Sequence, residues 1–391
     1  MRTVLRGITI DNGGSEIRVL PYGATLNEMK RMDSDFVEIA EKDFRIKDVE
    51  NPKCLMRVVK APKSEYLGIV AQGLTGRAYN GTSLALNVQE AKTDSLNYYR
   101  QFIFAVSADA IEAYLSEAKI AKVNKGIFKR VETYDNEEIM YKYVIVTCIP
   151  IREHSGNKDC ANNLKSCLAG EYAVEFPLIE SSPVVHFTIQ QNYTGVTPEG
   201  GVAMNLIRNQ IEKDDYSIVI DMGHITTDIS IFKGKTLLGK VKTVYYAGNI
   251  LVEEVKNALE EEGYRCSDEQ TMKAIQAGSV RVGIHSEDVT GLLDECKSSF
   301  VNNYLRGEIL KLLATNRIEA KQIQNAIFIG AAMNDTGLHS IQHKIIDACG
   351  FGNSAIIDTH CDSRYVNIKA ASVFTGILFK AAQEAETAPE V

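Results

Sequence analysis

The segment 217–232, SIVIDMGHITTDISIF, concentrates residue types suited to holding phosphate and a divalent cation. Asp221 and Asp228 offer hard carboxylate oxygens for such a cation. Thr226 and Thr227 offer hydroxyls, and Gly223 lets the backbone come close to a ligand. The N–H groups of a tight turn through His224 and Ile225 can converge on an anion. A second stretch has the same start: Asp11-Asn12-Gly13-Gly14-Ser15, followed by Glu16, Ile17 and Arg18. Asp and Gly in one turn are ordinary hairpin chemistry. Two turns with the same Asp-x-Gly spacing imply two similar halves clasping one ligand.

The flanking residues say which elements carry these turns. Apolar, β-branched runs at 217–220 and 229–232, and at 3–10 and 17–20, predict two β-hairpins. A helix is predicted over 250–262, where Leu251, Val255 and Leu259 recur every four residues and Gly263 serves as the C-cap. It is fed by a glycine turn, Ala247-Gly248-Asn249. Strands are predicted at 66–70, at 184–190 and over 141–150, the last ended by Pro150. Helical spacing appears over 84–115 through Ala105, Ala108, Ile111, Tyr114 and Leu115, and again over 267–277, 287–315, 340–350 and 362–379. The stretch 155–170 reads as a polar surface connection and 71–83, with three glycines, as a loop. The tail 384–391 reads as frayed.

At 391 residues the chain exceeds a single ordinary core, which implies two domains. A net charge of −8 argues against a basic surface wrapping DNA, so any link to DNA calls for an adaptor. The eight cysteines include no Cys-x-x-Cys pair, which favours reduced thiols in a cytoplasmic protein, with Cys160 and Cys167 as candidate surface thiols. No run long enough to span a membrane and no signal-peptide pattern are present.

The two hairpins resemble the phosphate-1 and phosphate-2 loops of the actin, sugar-kinase and heat-shock-chaperone ATPase superfamily. Within it the chain is most similar to bacterial actin-like proteins of the ParM type. Further segments match in order: Pro198-Glu199-Gly200-Gly201-Val202-Ala203 the connect-1 segment, Ile327–Ala332 the adenosine motif, and Val366-Asn367-Ile368-Lys369-Ala370 the connect-2 helix. The adenosine motif of the family carries two or three glycines. Here only Gly330 is glycine, with Ala331 and Ala332 in place of the others, which leaves ATP and GTP both open.

The resemblance implies an α/β, actin-like (ribonuclease H-like) two-domain fold with nucleotide in the interdomain cleft. It places domain I at 1–204, with a small subdomain near 33–90 and connect-1 at 198–204. Domain II then covers 205–365, and 366–391 returns to domain I. It implies that Asp11 and Asp221 hold the waters of a Mg2+ ion. Asn12, Gly13, Gly14, Ser15, Gly223, His224, Ile225 and Thr226 line the phosphates. Arg18 stands where the family has Lys and contacts the β-phosphate with a planar fork instead of a point charge. Gly248 and Asn249 lie near the ribose and phosphates, and Gly330, Ala331 and Ala332 near the base.

Glu199 is the candidate for orienting the attacking water. As an acidic residue at a helix start it would equally be favoured by the helix dipole. The activity implied is ATP hydrolysis coupled to filament growth and loss, with other copies of the chain as partners and a DNA-binding adaptor on a plasmid centromere. A non-polymerising chaperone-like ATPase and a small-molecule kinase of the same fold are the alternatives.

Overall fold

The computed structural model describes residues 2–387, apart from 14–15, 48, 50, 80, 87–90, 118–119, 124–126, 131–138, 157–158, 284, 331–332, 334–339 and 353. Gly14, Ser15, Ala331 and Ala332 therefore lie outside the described residues. The chain forms two compact units. The first comprises Met1–Ile149, Gly156–Thr197 and Ala371–Val391, and the second Pro150–Ser155 and Pro198–Ala370.

The first unit is built on a ten-stranded sheet. Its strands are β1 (Arg2–Asn12), β2 (Glu16–Pro21), β3 (Lys30–Asp33), β4 (Phe36–Ile39), β5 (Leu55–Lys60), β6 (Gly68–Gln72) and β7 (Thr82–Ser83). After a two-stranded ribbon, β8 (Ile120–Val123) and β9 (Ile127–Arg130), come β10 (Ile139–Ile149), β11 (Gly170–Glu175) and β12 (Val184–Pro198). The spatial order is β3-β2-β1-β10-β12-β11-β5-β6-β4-β7.

Strand β1 is the axis of this unit. It runs antiparallel to β2 and parallel to β10, with Ile10 opposite Thr147. Both of its faces are covered, so Gly7 through Asn12 are all buried. On one face Ile8 and Ile10 join Tyr98, Phe102, Phe104 and Ile111 of the helix Leu96–Glu117 in a single apolar core. On the other, Thr9 Oγ1 lies 2.7 Å from Thr375 Oγ1. Gly7 permits that second packing, because a Cβ there would stand 2.8 Å from both Phe379 and Tyr22. Covering on both sides explains why Gly7, Ile8, Thr9 and Ile10 run without a charged residue.

The second unit repeats the plan. Its sheet is ordered β15-β14-β13-β19-β20, from β13 (Tyr216–Met222), β14 (Thr227–Lys233), β15 (Thr236–Leu237), β19 (Ile323–Ile329) and β20 (Ala355–Ile356). Strand β16 (Lys242–Val244) pairs with β14, and β17 (Ser279–Val282) pairs with β18 (His285–Asp288). Like β1, β13 is antiparallel to the strand that follows it and parallel to one reached by a helical crossover, here β19. The helices Gly248–Glu261, Asp268–Ala277, Thr290–Phe300, Arg306–Thr315 and Ile341–Cys349 supply Leu251, Val255, Ile275, Leu293, Ile309 and Ile345 to the core with Ile218 and Ile220.

Several expectations are corrected. The helix expected from 84 begins at Leu96, after a single 3-10 turn at Lys92–Asp94. The stretch 155–170 is no plain connection: Cys160–Leu168 is a helix whose Cys160, Leu164 and Leu168 are buried at four-residue steps. Cys160 is thus a core thiol, its Sγ bonded to Thr93 Oγ1 at 3.0 Å, while Cys167 is half-buried. Burial likewise pushes the Cys349 thiol up to about 12. The predicted helix over 287–315 starts at Thr290, after the β18 strand, and passes through a π-helical turn at Val301–Leu305. Within 71–83, Gly73–Arg77 forms a short helix. The C-terminal helix spans Val366–Thr387 and so continues into the tail expected to fray. Among the described residues no helix is long and apolar enough to cross a membrane.

Candidate functional site

Each unit ends its central strand in a turn of the same construction. In the first, Gly13 N–H donates to Glu16 O at 3.1 Å; in the second, Gly223 N–H donates to Thr226 O at 2.9 Å. The registers agree as well: Asn12 faces Ile17 where Met222 faces Thr227. Asp11 and Asp221 therefore hold equivalent positions, opposite Arg18 and Asp228 respectively.

The turns differ in charge. In the first unit Arg18 lies 3.1 Å from Asp11 Oδ2 through Nη1 and 2.7 Å from Glu16 Oε2 through Nε. Asp11 is only 6% exposed, so the guanidinium offsets a carboxylate largely withdrawn from water. In the second unit the matching position is acidic, and the buried Asp228 carboxylate accepts a hydrogen bond from Thr243 Oγ1. Thr227 is also turned inward, its hydroxyl donating to Tyr246 O at 2.7 Å. Thr226 is half-buried, whereas Gly223 and His224 are exposed.

Asn12 is fully buried, and its Oδ1 and Nδ2 have no hydrogen-bond partner among the described residues. Its carbonyl accepts from Lys92 Nζ at 3.0 Å. Lys92 thus stands at the first turn without having been marked by any motif.

The second turn is braced from behind by the helix Gly248–Glu261. Gly248 N–H donates to Gly223 O at 3.1 Å, and Asn249 N–H to His224 O at 2.8 Å. His224 is therefore held by its backbone. Gly330 is fixed by steric demand: with φ +103°, a Cβ there would stand 2.0 Å from Met222 O.

Glu199 lies in a turn, not at the start of an α-helix. Strand β12 runs to Pro198, Gly200 takes φ +69°, and a 3-10 turn follows at Gly201–Asn205. Only glycine adopts that conformation readily. Gly200 N–H donates to Asn367 Oδ1 at 2.9 Å, and Asn367 Nδ2 donates to Asp221 Oδ2 at 2.8 Å. The structure thereby gathers Glu199, Asp221 and Gly223 within the second unit. Sequence reasoning placed Asn367 in the connect-2 segment without giving it a role, since a lone Asn in a helix carries no signal of its own.

Asp11 and Asp221, each within its own unit, carry hard carboxylate oxygens of the kind magnesium takes. Among the described residues no three His, Cys, Asp or Glu side chains gather as a metal site. Magnesium is commonly held through one or two carboxylates, water and phosphate, with no full protein cage. Asp11 and Asp221 each place one carboxylate two residues before a glycine turn.

The chain has the actin-like fold. No protein-family model and no curated protein matches it, but solved structures do over nearly its whole length. The actin-like protein Alp7A is 14% identical with a TM-score of 0.67, covering 98% of this chain and 100% of that one. A Bacillus thuringiensis ParM with AMPPNP is 14% identical with a TM-score of 0.59, covering 95% and 99%. A 15-stranded ParM filament from Clostridium botulinum is 13% identical with a TM-score of 0.54, covering 96% and 100%.

Proposed function

We propose that the chain is a nucleotide-dependent, filament-forming actin-like ATPase that moves plasmid DNA through a DNA-binding adaptor. The observation that carries this reading is the matched pair of turns. The hydrogen bonds Gly13 N–Glu16 O and Gly223 N–Thr226 O close them alike, with Asp11 and Asp221 at one equivalent position. The similar ParM structures support it, one by its AMPPNP and one by its filament.

In this reading both turns serve the phosphates of one ATP or GTP. The N–H groups of 224–226 and the Thr226 hydroxyl serve the phosphates, Gly14 and Ser15 are assigned to them by resemblance alone, and Arg18 serves the β-phosphate. Asp11 and Asp221 hold the waters of Mg2+, which when bound neutralises phosphate charge. Glu199 accepts a hydrogen bond from the attacking water and turns its lone pair toward the γ-phosphate. Gly330, Ala331 and Ala332 leave room for the base. Gly248 and Asn249 hold the second turn in place by their backbone bonds. Nucleotide state then sets the contacts between copies in a head-to-tail, non-closing assembly. The net charge of −8 supports an adaptor over direct DNA contact in the cytoplasm.

Phosphate release measured together with sedimentation tests the proposal. Magnesium and ATP or GTP should bring the protein into the pellet and then release phosphate. Protein that stays in the supernatant with both nucleotides, or that phosphorylates a small molecule as a monomer, contradicts it.

A further inference from the structure

Asn367 lies in the first turn of the helix Val366–Thr387. Its amide works in both directions, accepting from Gly200 N–H at 2.9 Å and donating to Asp221 Oδ2 at 2.8 Å. The partners fix the orientation of the amide, because an N–H must meet oxygen and a carboxylate must meet the NH2 group. Gly200 is pressed close to the same carboxylate: a Cβ on it would lie 3.4 Å from Asp221 Cβ. One side chain thus joins three segments that are remote in sequence, the turn after β12, the end of β13 and the start of the last helix.

The choice of residue is chemically narrow. An ionised Asp at 367 would accept from Gly200 but repel Asp221, a Lys would donate only, and an Ala would do neither. Glu199 immediately precedes the residue that Asn367 holds.

We propose that Asn367 is a positioning residue for hydrolysis, holding the Glu199 turn at a fixed distance from Asp221. This rests on the ATPase reading above. Loss of the amide leaves nucleotide contacts in place but lets the Glu199 turn drift, so turnover falls while binding persists. Hydrogen bonds to charged groups are the stronger ones, so the loss is large enough to read in kinetics.

The test compares the full-length protein with Asn367→Asp and Asn367→Ala, using phosphate release for turnover and AMPPNP for binding. Asn367→Asp keeps the size and the bond from Gly200 but sets a second carboxylate against Asp221. At pH ~8 its kcat should drop by about tenfold to a hundredfold, with AMPPNP affinity within about threefold of wild type. Asn367→Ala, which loses both bonds, should show the same split between turnover and binding. A merely structural role would lower AMPPNP affinity and turnover together. Asn367→Asp turning over like wild type at pH ~8, or losing AMPPNP affinity in step with kcat, overturns the proposal. Wild-type protein that releases no phosphate overturns the ATPase reading first, and this inference with it.

Discussion

Gly330 and Met222 are in backbone contact that admits no side chain. A Cβ on Gly330 would stand 2.0 Å from Met222 O, and the residue adopts φ +103°. Ser363 locks it from the other side, accepting from Gly330 N–H at 3.0 Å and donating from Oγ to Gly330 O at 2.8 Å. The end of β19 is thereby pinned to the end of β13, one residue before the 223–226 turn. Gly330→Ala should cost about 3 kcal/mol or more, through both strain and clash. Gly13→Ala, whose Cβ would meet only Glu16 O, at 3.0 Å, among the described residues, should cost about 1 kcal/mol. Urea denaturation of the two variants checks the order, and equal midpoints would remove the contact from the account.

Glu199→Gln keeps the turn that Gly200 φ +69° and the Asn367 bond define, but weakens the acceptor for water. Turnover should fall by about a hundredfold, the lower end of general-base effects. Pelleting with nucleotide should persist, and disassembly should slow. Unchanged phosphate release would take Glu199 out of the chemistry.

Arg18 bridges Asp11 and Glu16 at 3.1 and 2.7 Å with its side chain only 19% exposed. Its planar fork serves two carboxylates at once, which an ammonium matches poorly. Arg18→Ala should weaken AMPPNP binding by about tenfold or more, at one lost charged contact, and Arg18→Lys should fall between. Isothermal titration with each variant reads this directly. Affinity unchanged in Arg18→Ala would show that the guanidinium serves only the two carboxylates.

Asp109 governs an acid-sensitive part of the first unit. It is fully buried, with Arg6 Nε at 2.7 Å, Lys30 Nζ at 2.9 Å and Tyr143 Oη at 2.8 Å. Burial alone would raise its pKa, but the Arg6 hydrogen bond and the Lys30 charge outweigh that and hold the carboxyl below 3.8. A depressed folded-state pKa adds stability that is present above the unfolded value and lost as pH falls through the folded one. Asp109→Asn should therefore cost about 1.5–3 kcal/mol at neutral pH, by removing the buried carboxylate that the half-buried Arg6 and Lys30 bond. The gap from wild type should narrow only below 3.8. Urea midpoints from neutral to acid pH measure it, and a constant gap would contradict the assignment.

The hairpins were legible because turn chemistry and strand alternation are local. Asp-x-Gly between β-branched runs is enough to place β13 and β14. The helix Cys160–Leu168 is hidden in the sequence because Asn162, Asn163, Lys165 and Ser166 make the stretch polar between its buried residues. The small residues after Glu199 suggest a helix start there, yet the positive φ of Gly200 turns the chain into a 3-10 turn instead. Asn367 and Lys92 had no local signature at all. Their partners, Gly200 and Asp221 for one and Asn12 for the other, are distant in sequence, and only the folded chain brings them together.

The central claim, that nucleotide drives assembly of this chain, is tested most directly by negative-stain micrographs of the wild-type protein with magnesium and ATP, and with magnesium and ADP. The account predicts filaments with ATP and none, or short fragments, with ADP. Fields of single particles under both conditions would contradict it.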